Sequence, residues 1–222
     1  MSPMRLPSLA RVSGLLGVLT LSALGCGLIS SDITKVTFDL PTKHYTFSSQ
    51  SFAIPAGIPN MQIPCAAGAC PSPLMCDANV CSAHFPVSVW NPVNLKMEVG
   101  VLSSVNSQTI ADLSLESLSY SVANTSNLTI PPIELYLAPD GVKDASDPSA
   151  QKFGTVPEIP ANSNKSGDVV KEPGADALFT MYGQNFGTTF NFIAATTVIV
   201  PSGTTPTGMM DITINGKIAA KL

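Results

Sequence analysis

The chain has 222 residues, 45% of them apolar and only 12% charged, with a formal net charge of −4. That length fits one large domain with small attachments. Charged residues usually make up about 25% of a globular chain, so this composition argues against a helix-rich, salt-bridged cytosolic enzyme, and without a Lys/Arg run there is no electrostatic term to support DNA or RNA as a partner.

In chain order, Arg5 and Arg11 precede an apolar run over residues 15–24, and Gly25-Cys26 follows at once. Basic start, apolar middle and small-residue end are the layout of an export signal, so residues 1–25 are set aside from the fold. The order Leu21-Ser22-Ala23-Leu24-Gly25-Cys26 also resembles the lipobox of bacterial lipoproteins. Gly25 and Cys26 fit that pattern, while Ala23 and Leu24 depart from it. The resemblance implies that Cys26 is lipid-modified and becomes the first mature residue. It further implies an outer-membrane destination, since Gly27 replaces the Asp that commonly marks inner-membrane retention. The alternatives are an ordinary secretory peptide, or an uncleaved anchor over the mostly apolar residues 12–29. Cleavage before Cys26 removes two Arg and no acid, moving the charge from −4 to −6. Residues 26–32 then form a lipidated tether that holds the first strand within roughly 20 Å of the membrane.

The remaining cysteines, Cys65, Cys70, Cys76 and Cys81, lie within 17 residues with spacing C-x4-C-x5-C-x4-C. In an exported chain an even set reads as two disulfides, with three connectivities open. The insert over residues 64–82 has few large apolar residues, so it needs staples. A four-thiolate zinc site beside His84 is the competing reading, disfavoured because the pairs lack the glycine-rich knuckle of structural zinc sites and, decisively, because the chain reads as exported.

Around the insert, the 19 Pro and 16 Gly interrupt the chain too often for long helices and favour short strands. Residues 33–40 and 44–52 alternate as two strands of a hairpin turned at Pro41-Thr42-Lys43. Residues 85–90 alternate until Asn91-Pro92 breaks them, and Leu95, Met97 and Val99 start another strand. Residues 113–122 alternate with a phase change at Glu116-Ser117, the mark of a bulge. Residues 133–137 end at the turn Pro139-Asp140-Gly141. Residues 140–149 and 162–173 read as polar, mobile loops, with a short strand over 153–159 between them. Ala177, Leu178, Met181 and Tyr182 fit a short helix over 175–184, favoured by Asp176 near its start. Residues 190–200 and 210–222 close the fold, with Asn215-Gly216 either a hairpin turn or a feature inside one long strand. The expected fold is an all-β antiparallel sandwich over residues 33–222, immunoglobulin-like, with at most one short helix. Asn91-Pro92, the Leu118-Ser119-Tyr120-Ser121-Val122 strand and Pro157-Glu158-Ile159-Pro160-Ala161 resemble the water-stress domain of late-embryogenesis-abundant proteins, which implies such a sandwich; that family has no place for the cysteine insert.

The catalytic inventory is thin. His44 and His84 belong to no H-E-x-x-H pair, and the chain has no G-x-S-x-G turn and no phosphate-cradling Gly loop. The scattered Glu98, Glu116, Glu134, Glu158 and Glu172 form no forced carboxyl pair. Asp140, Asp144 and Asp147 lack the order of a calcium loop. No catalytic residue, metal or cofactor is therefore expected. The expected function is a membrane-anchored, non-enzymatic adhesion, assembly or envelope-structural module, with the membrane and an envelope protein as partners. A carrier holding an apolar ligand between the sheets is the alternative.

Overall fold

The computed structural model describes residues 35–52, 61–65, 70–103 and 112–221. The signal, Cys26 and the tether lie outside the described residues. Among the described residues, eleven strands form two antiparallel sheets. The first runs β1 (Lys35–Asp39), β11 (Met209–Lys221), β5 (Asp112–Asn124) and β8 (Ser163–Asp168), with β2 (Lys43–Ser48) also on β11. The second runs β3 (Met75–Asp77), β4 (Val80–Val93), β10 (Phe190–Pro201), β6 (Ile133–Pro139), β7 (Gln151–Val156) and β9 (Val170–Lys171). Alternation builds the core: Leu118, Tyr120 and Val122 on β5, with Met210, Ile212 and Ile214 on β11, meet Ile133, Leu135 and Leu137 on β6 and Phe190, Phe192 and Ala194 on β10, all buried. Each such large side chain contributes roughly 1.5–3 kcal/mol by leaving water.

The helix α2 (Ala175–Gly183) forms as expected. Its buried Leu178 and Phe179 close one side of the sandwich, and Phe153 stands edge-on to both Phe179 (5.3 Å) and Phe192 (4.7 Å). The phase change in β5 is a bulge: Lys217 pairs with Ser117 and Ile218 with Leu115, leaving Glu116 as the extra residue. Asn215-Gly216 lies inside the single long strand β11. Any side chain at Gly216 would meet Leu40 and Leu118 (2.8 and 3.2 Å from the added carbon).

Four expectations need correction. β1 and β2 do not form a hairpin. Both run antiparallel to β11 along one edge, Asp39 opposite Lys217 and Lys43 opposite Ile214, so residues 40–42 are a bulge in a continuing edge rather than a reversal. Asn91-Pro92 does not end a strand either; β4 runs through to Val93. Beyond the short β3 it is an edge, where proline's missing N–H leaves no ladder bond unmade, and the Pro92 carbonyl accepts from Lys43 Nζ at 2.9 Å. Leu95 to Glu98 is a one-turn helix, α1, not a strand, so there are two short helices rather than at most one. Asn94 accepts from the Met97 N–H at 3.1 Å while Glu98 accepts from the Asn94 N–H at 2.7 Å, a reciprocal cap. Leu95 and Val99, one turn apart, are buried, and Met97 is 83% exposed. Finally, the polar stretch 162–173 holds β8 and β9.

The insert hangs on the β3–β4 hairpin, with Cys65 bonded to Cys76 and Cys70 to Cys81. Cys65, Leu74, Cys81 and Ala83 form a small buried cluster separate from the main core.

Candidate functional site

The second sheet's outer face carries the largest depression described. Strand register sets its rows: Pro86 opposite Thr197, Ser88 opposite Ala195 and then Glu134, and Trp90 opposite Ile193 and then Tyr136. Residues 140–149, expected as a mobile loop, fold over one end of this face. The Asn191 amide donates to the Val142 carbonyl (2.8 Å), the Ala145 N–H to Ser88 Oγ (3.4 Å), and Lys143 Nζ stands 4.4 Å from the centre of the Trp90 ring. Where this loop stops, a groove of about 590 Å³ opens. Pro86, Ser88, Ala195 and Thr197 floor it, Glu134 and Tyr136 stand on one side, and Asp144 to Ser146 and Pro131-Pro132 complete the walls.

Its polar groups are tied to one another. Tyr136 donates to Glu134 Oε2 (2.6 Å), and Lys152 bridges Glu134 (2.9 Å) and Glu172 (3.0 Å). The hydrogen bond from Tyr136, then that from Lys152, holds the Glu134 carboxyl below the usual range. Burial, then its bond to Glu134, pushes the Tyr136 hydroxyl up to about 12. Bonds to Glu134 and Glu172 raise Lys152. Asp144 and Asp147 close turns on themselves, accepting from the Ser146 and Ser149 N–H at 2.8 and 2.9 Å, and these contacts with their serines lower both carboxyls. They do not converge with Asp140 on a shared site: among the described residues, the group within metal-ligating reach of one another is Cys65, Cys70 and Cys81. Those sulfurs are in disulfides, and a disulfide sulfur has no thiolate to give zinc.

The histidines lie elsewhere. His84 Nε2 sits 2.6 Å from Asp77 Oδ2, linking β4 to β3 beside the staples, and His44 Nδ1 sits 3.1 Å from Thr213 Oγ1 on the first sheet. The two histidines thus lie on different sheets, His84 with Asp77 and His44 with Thr213. Glu98 is paired with Lys43 at 2.8 Å. Asn124, first residue of an Asn-x-Ser sequence, is buried and spends its amide on the Leu128 and Pro160 carbonyls (both 2.9 Å), so it is closed to glycosylation. Two cavities lined by inward-facing residues, one around Leu118, Phe179 and Phe192 and one around Phe47, Leu128 and Met210, are about 10 Å³ each, room for one water.

The groove is not legible in the sequence. Its only trace there is the run of small or cyclic residues on the outward positions of β4 and β10, facing Tyr136.

No protein-family model matches the chain, and no curated protein does. Among solved structures, it is similar to ones titled desmodium yellow mottle tymovirus (10% identity, 63% of this chain and 86% of that one, TM-score 0.26), turnip yellow mosaic virus (14%, 72% and 92%, TM-score 0.25) and black queen cell virus (14%, 99% and 90%, TM-score 0.28).

Proposed function

We propose that this protein is an exported lipoprotein, anchored to the cell envelope through a lipid on Cys26, that serves as a non-enzymatic adhesion, assembly or envelope-structural module. The observation that carries the reading is the pair of disulfides, Cys65 with Cys76 and Cys70 with Cys81. They staple a segment whose own apolar cluster is four residues, and such bonds persist in oxidising compartments outside the cytosol. That agrees with the Arg5-to-Cys26 export layout. The dispersed histidines and self-paired acids support a non-enzymatic role. The carrier alternative has less support: the described cavities around Phe179 and Phe47 each hold about one water, and the larger space between the Phe47 to Phe52 segment and β4, about 290 Å³, opens at the edge of the sandwich rather than enclosing a ligand. Acyl chains anchor by their buried CH2 groups and need no basic patch, so an acidic mature body is compatible with the membrane.

The test is Cys26→Ser in the native host. The expected result is a shift from the detergent-rich to the soluble fraction with an unchanged melting temperature, since no described core residue is touched. Unchanged membrane association with residues 12–29 still attached would mean an uncleaved anchor and would overturn the reading.

A further inference from the structure

We infer that the groove on the outer face of the second sheet binds a neutral oligosaccharide; this rests on the reading of the chain as a non-enzymatic binding module and supplies its ligand class. About 590 Å³ falls within the roughly 300–1,000 Å³ of small-ligand sites.

The lining chooses among ligands by exclusion and by fit. An anionic ligand needs a free cation. Lys152 is held by Glu134 and Glu172, and Lys143 lies over Trp90. A cationic ligand would find the Glu134 charge already balanced by Lys152 and only one further carboxylate at the rim, Asp144, which accepts from the Ser146 N–H. A lipid tail would strand the hydroxyls of Ser88 and Thr197 away from water. A peptide strand would need a backbone ladder. The floor lies on the face of β4 and β10, which presents side chains; β10 is paired with β4 throughout and with β6 from Phe190 to Ala195, and beyond Ala195 its second side is flanked by Pro131 and Pro132, whose carbonyls accept from Thr196 Oγ1.

A neutral sugar has the matching chemistry. Its C–H face is apolar and suits the rings of Tyr136, Pro86, Pro131 and Pro132. Its hydroxyls both donate and accept, so they can pair with Ser88, Ser146 and Thr197 and share the remaining lone pairs of Glu134 and Asp144. An aromatic ring with a polar tip is well suited to such an amphipathic ligand. One of the walls is fixed in advance: the Ser88 contact with Ala145 and the Asn191 contact with Val142 both hold the 140–149 loop down, so little ordering entropy remains to be lost there on binding.

The test is isothermal titration of the full chain, in a detergent without a sugar headgroup, against cellohexaose, maltohexaose and N-acetylchitohexaose, with a heparin hexasaccharide and octaproline as controls. At least one neutral hexasaccharide should bind saturably. Thr197→Trp, which fills the floor from an exposed position, and Tyr136→Ala, which removes a wall, should each weaken it about tenfold or more, the worth of one good contact. Melting curves of both variants separate lost binding from lost fold, and Thr197→Trp keeps the test valid if Tyr136→Ala fails to fold. The proposal is overturned if no neutral hexasaccharide binds, if Thr197→Trp binds as the parent does, or if only heparin or octaproline binds. Absence of glycan binding with Cys26 acylated sinks the ligand alone; glycan binding with Cys26 unmodified sinks the anchor alone.

Discussion

Gly208 has φ +83°, and a carbon added there would collide with the Thr125 carbonyl. It holds the chain just before β11, where the Ser49 N–H and hydroxyl both donate to its carbonyl (3.2 and 2.7 Å). Left-handed geometry costs a non-glycine residue about 1–2 kcal/mol before any clash is counted. Gly208→Ala should therefore lower stability by about 2 kcal/mol or more, measured by urea unfolding. Glu134 gives a prediction with a pH sign. Its folded-state pKa lies below the ordinary value of 4.5, so the unfolded chain takes up the proton first as pH falls. Its contribution is complete above about pH 4.5 and lost as pH drops through the folded-state value. Compared with Glu134→Gln, the parent should lose stability more steeply below that pH, by under about 1 kcal/mol because the side chain is 44% exposed. An identical acid limb in the two proteins would contradict the hydrogen-bonded account of this carboxylate. Neither residue stood out in the sequence. The groove's partners come from strands far apart in the chain, so only the register of β4, β10 and β6 reveals them as neighbours.

At the scale of elements, the stapled hairpin and the sandwich are separate in what holds them. Each disulfide spans 11 residues, and closing a loop of that size is worth about 3 kcal/mol. The insert's small cluster cannot replace that. Mild reduction should raise amide exchange in β3 and the start of β4 while β10 and β11 keep their protection; uniform loss of protection would show instead that the staples support the whole fold. The strands that bury one face, β5, β6, β10 and β11, were legible because alternation of apolar side chains is a direct record of that burial. β8 was not, because Ser163 to Asp168 is an edge exposed along nearly its whole length, so its pairing with β5 is a matter of backbone and leaves no pattern. Charge and glycine there also discourage a further strand from adding. The Asn94–Glu98 cap was readable in principle. Leu95 and Val99 suit a helical turn, and exposed Met97 is what made the stretch look like alternation. Pro41 and Pro92 misled for one reason: both stand on edges, where a proline bends or borders a strand without ending it.

For the molecule as a whole, the described residues form a two-sheet sandwich with a packed core, a groove on the outer face of the second sheet beside the 140–149 loop, and a disulfide-stapled insert. Phe153, between Phe179 and Phe192, leaves no room for a ligand between the sheets at the end that α2 closes. The sandwich and the insert were foreseeable from alternation, turns and cysteine spacing. Anchoring rests on sequence, because Cys26 lies outside the described residues; among the described ones, no helix is long and apolar enough to cross a membrane. The most direct test of the account is the intact mass of the protein extracted from native membranes without reductant. The account predicts a chain beginning at residue 26, heavier than its sequence by acyl groups on Cys26, with Cys65, Cys70, Cys76 and Cys81 refractory to alkylation until reduced. A chain retaining residues 1–25, or four thiols that alkylate at once, would contradict it.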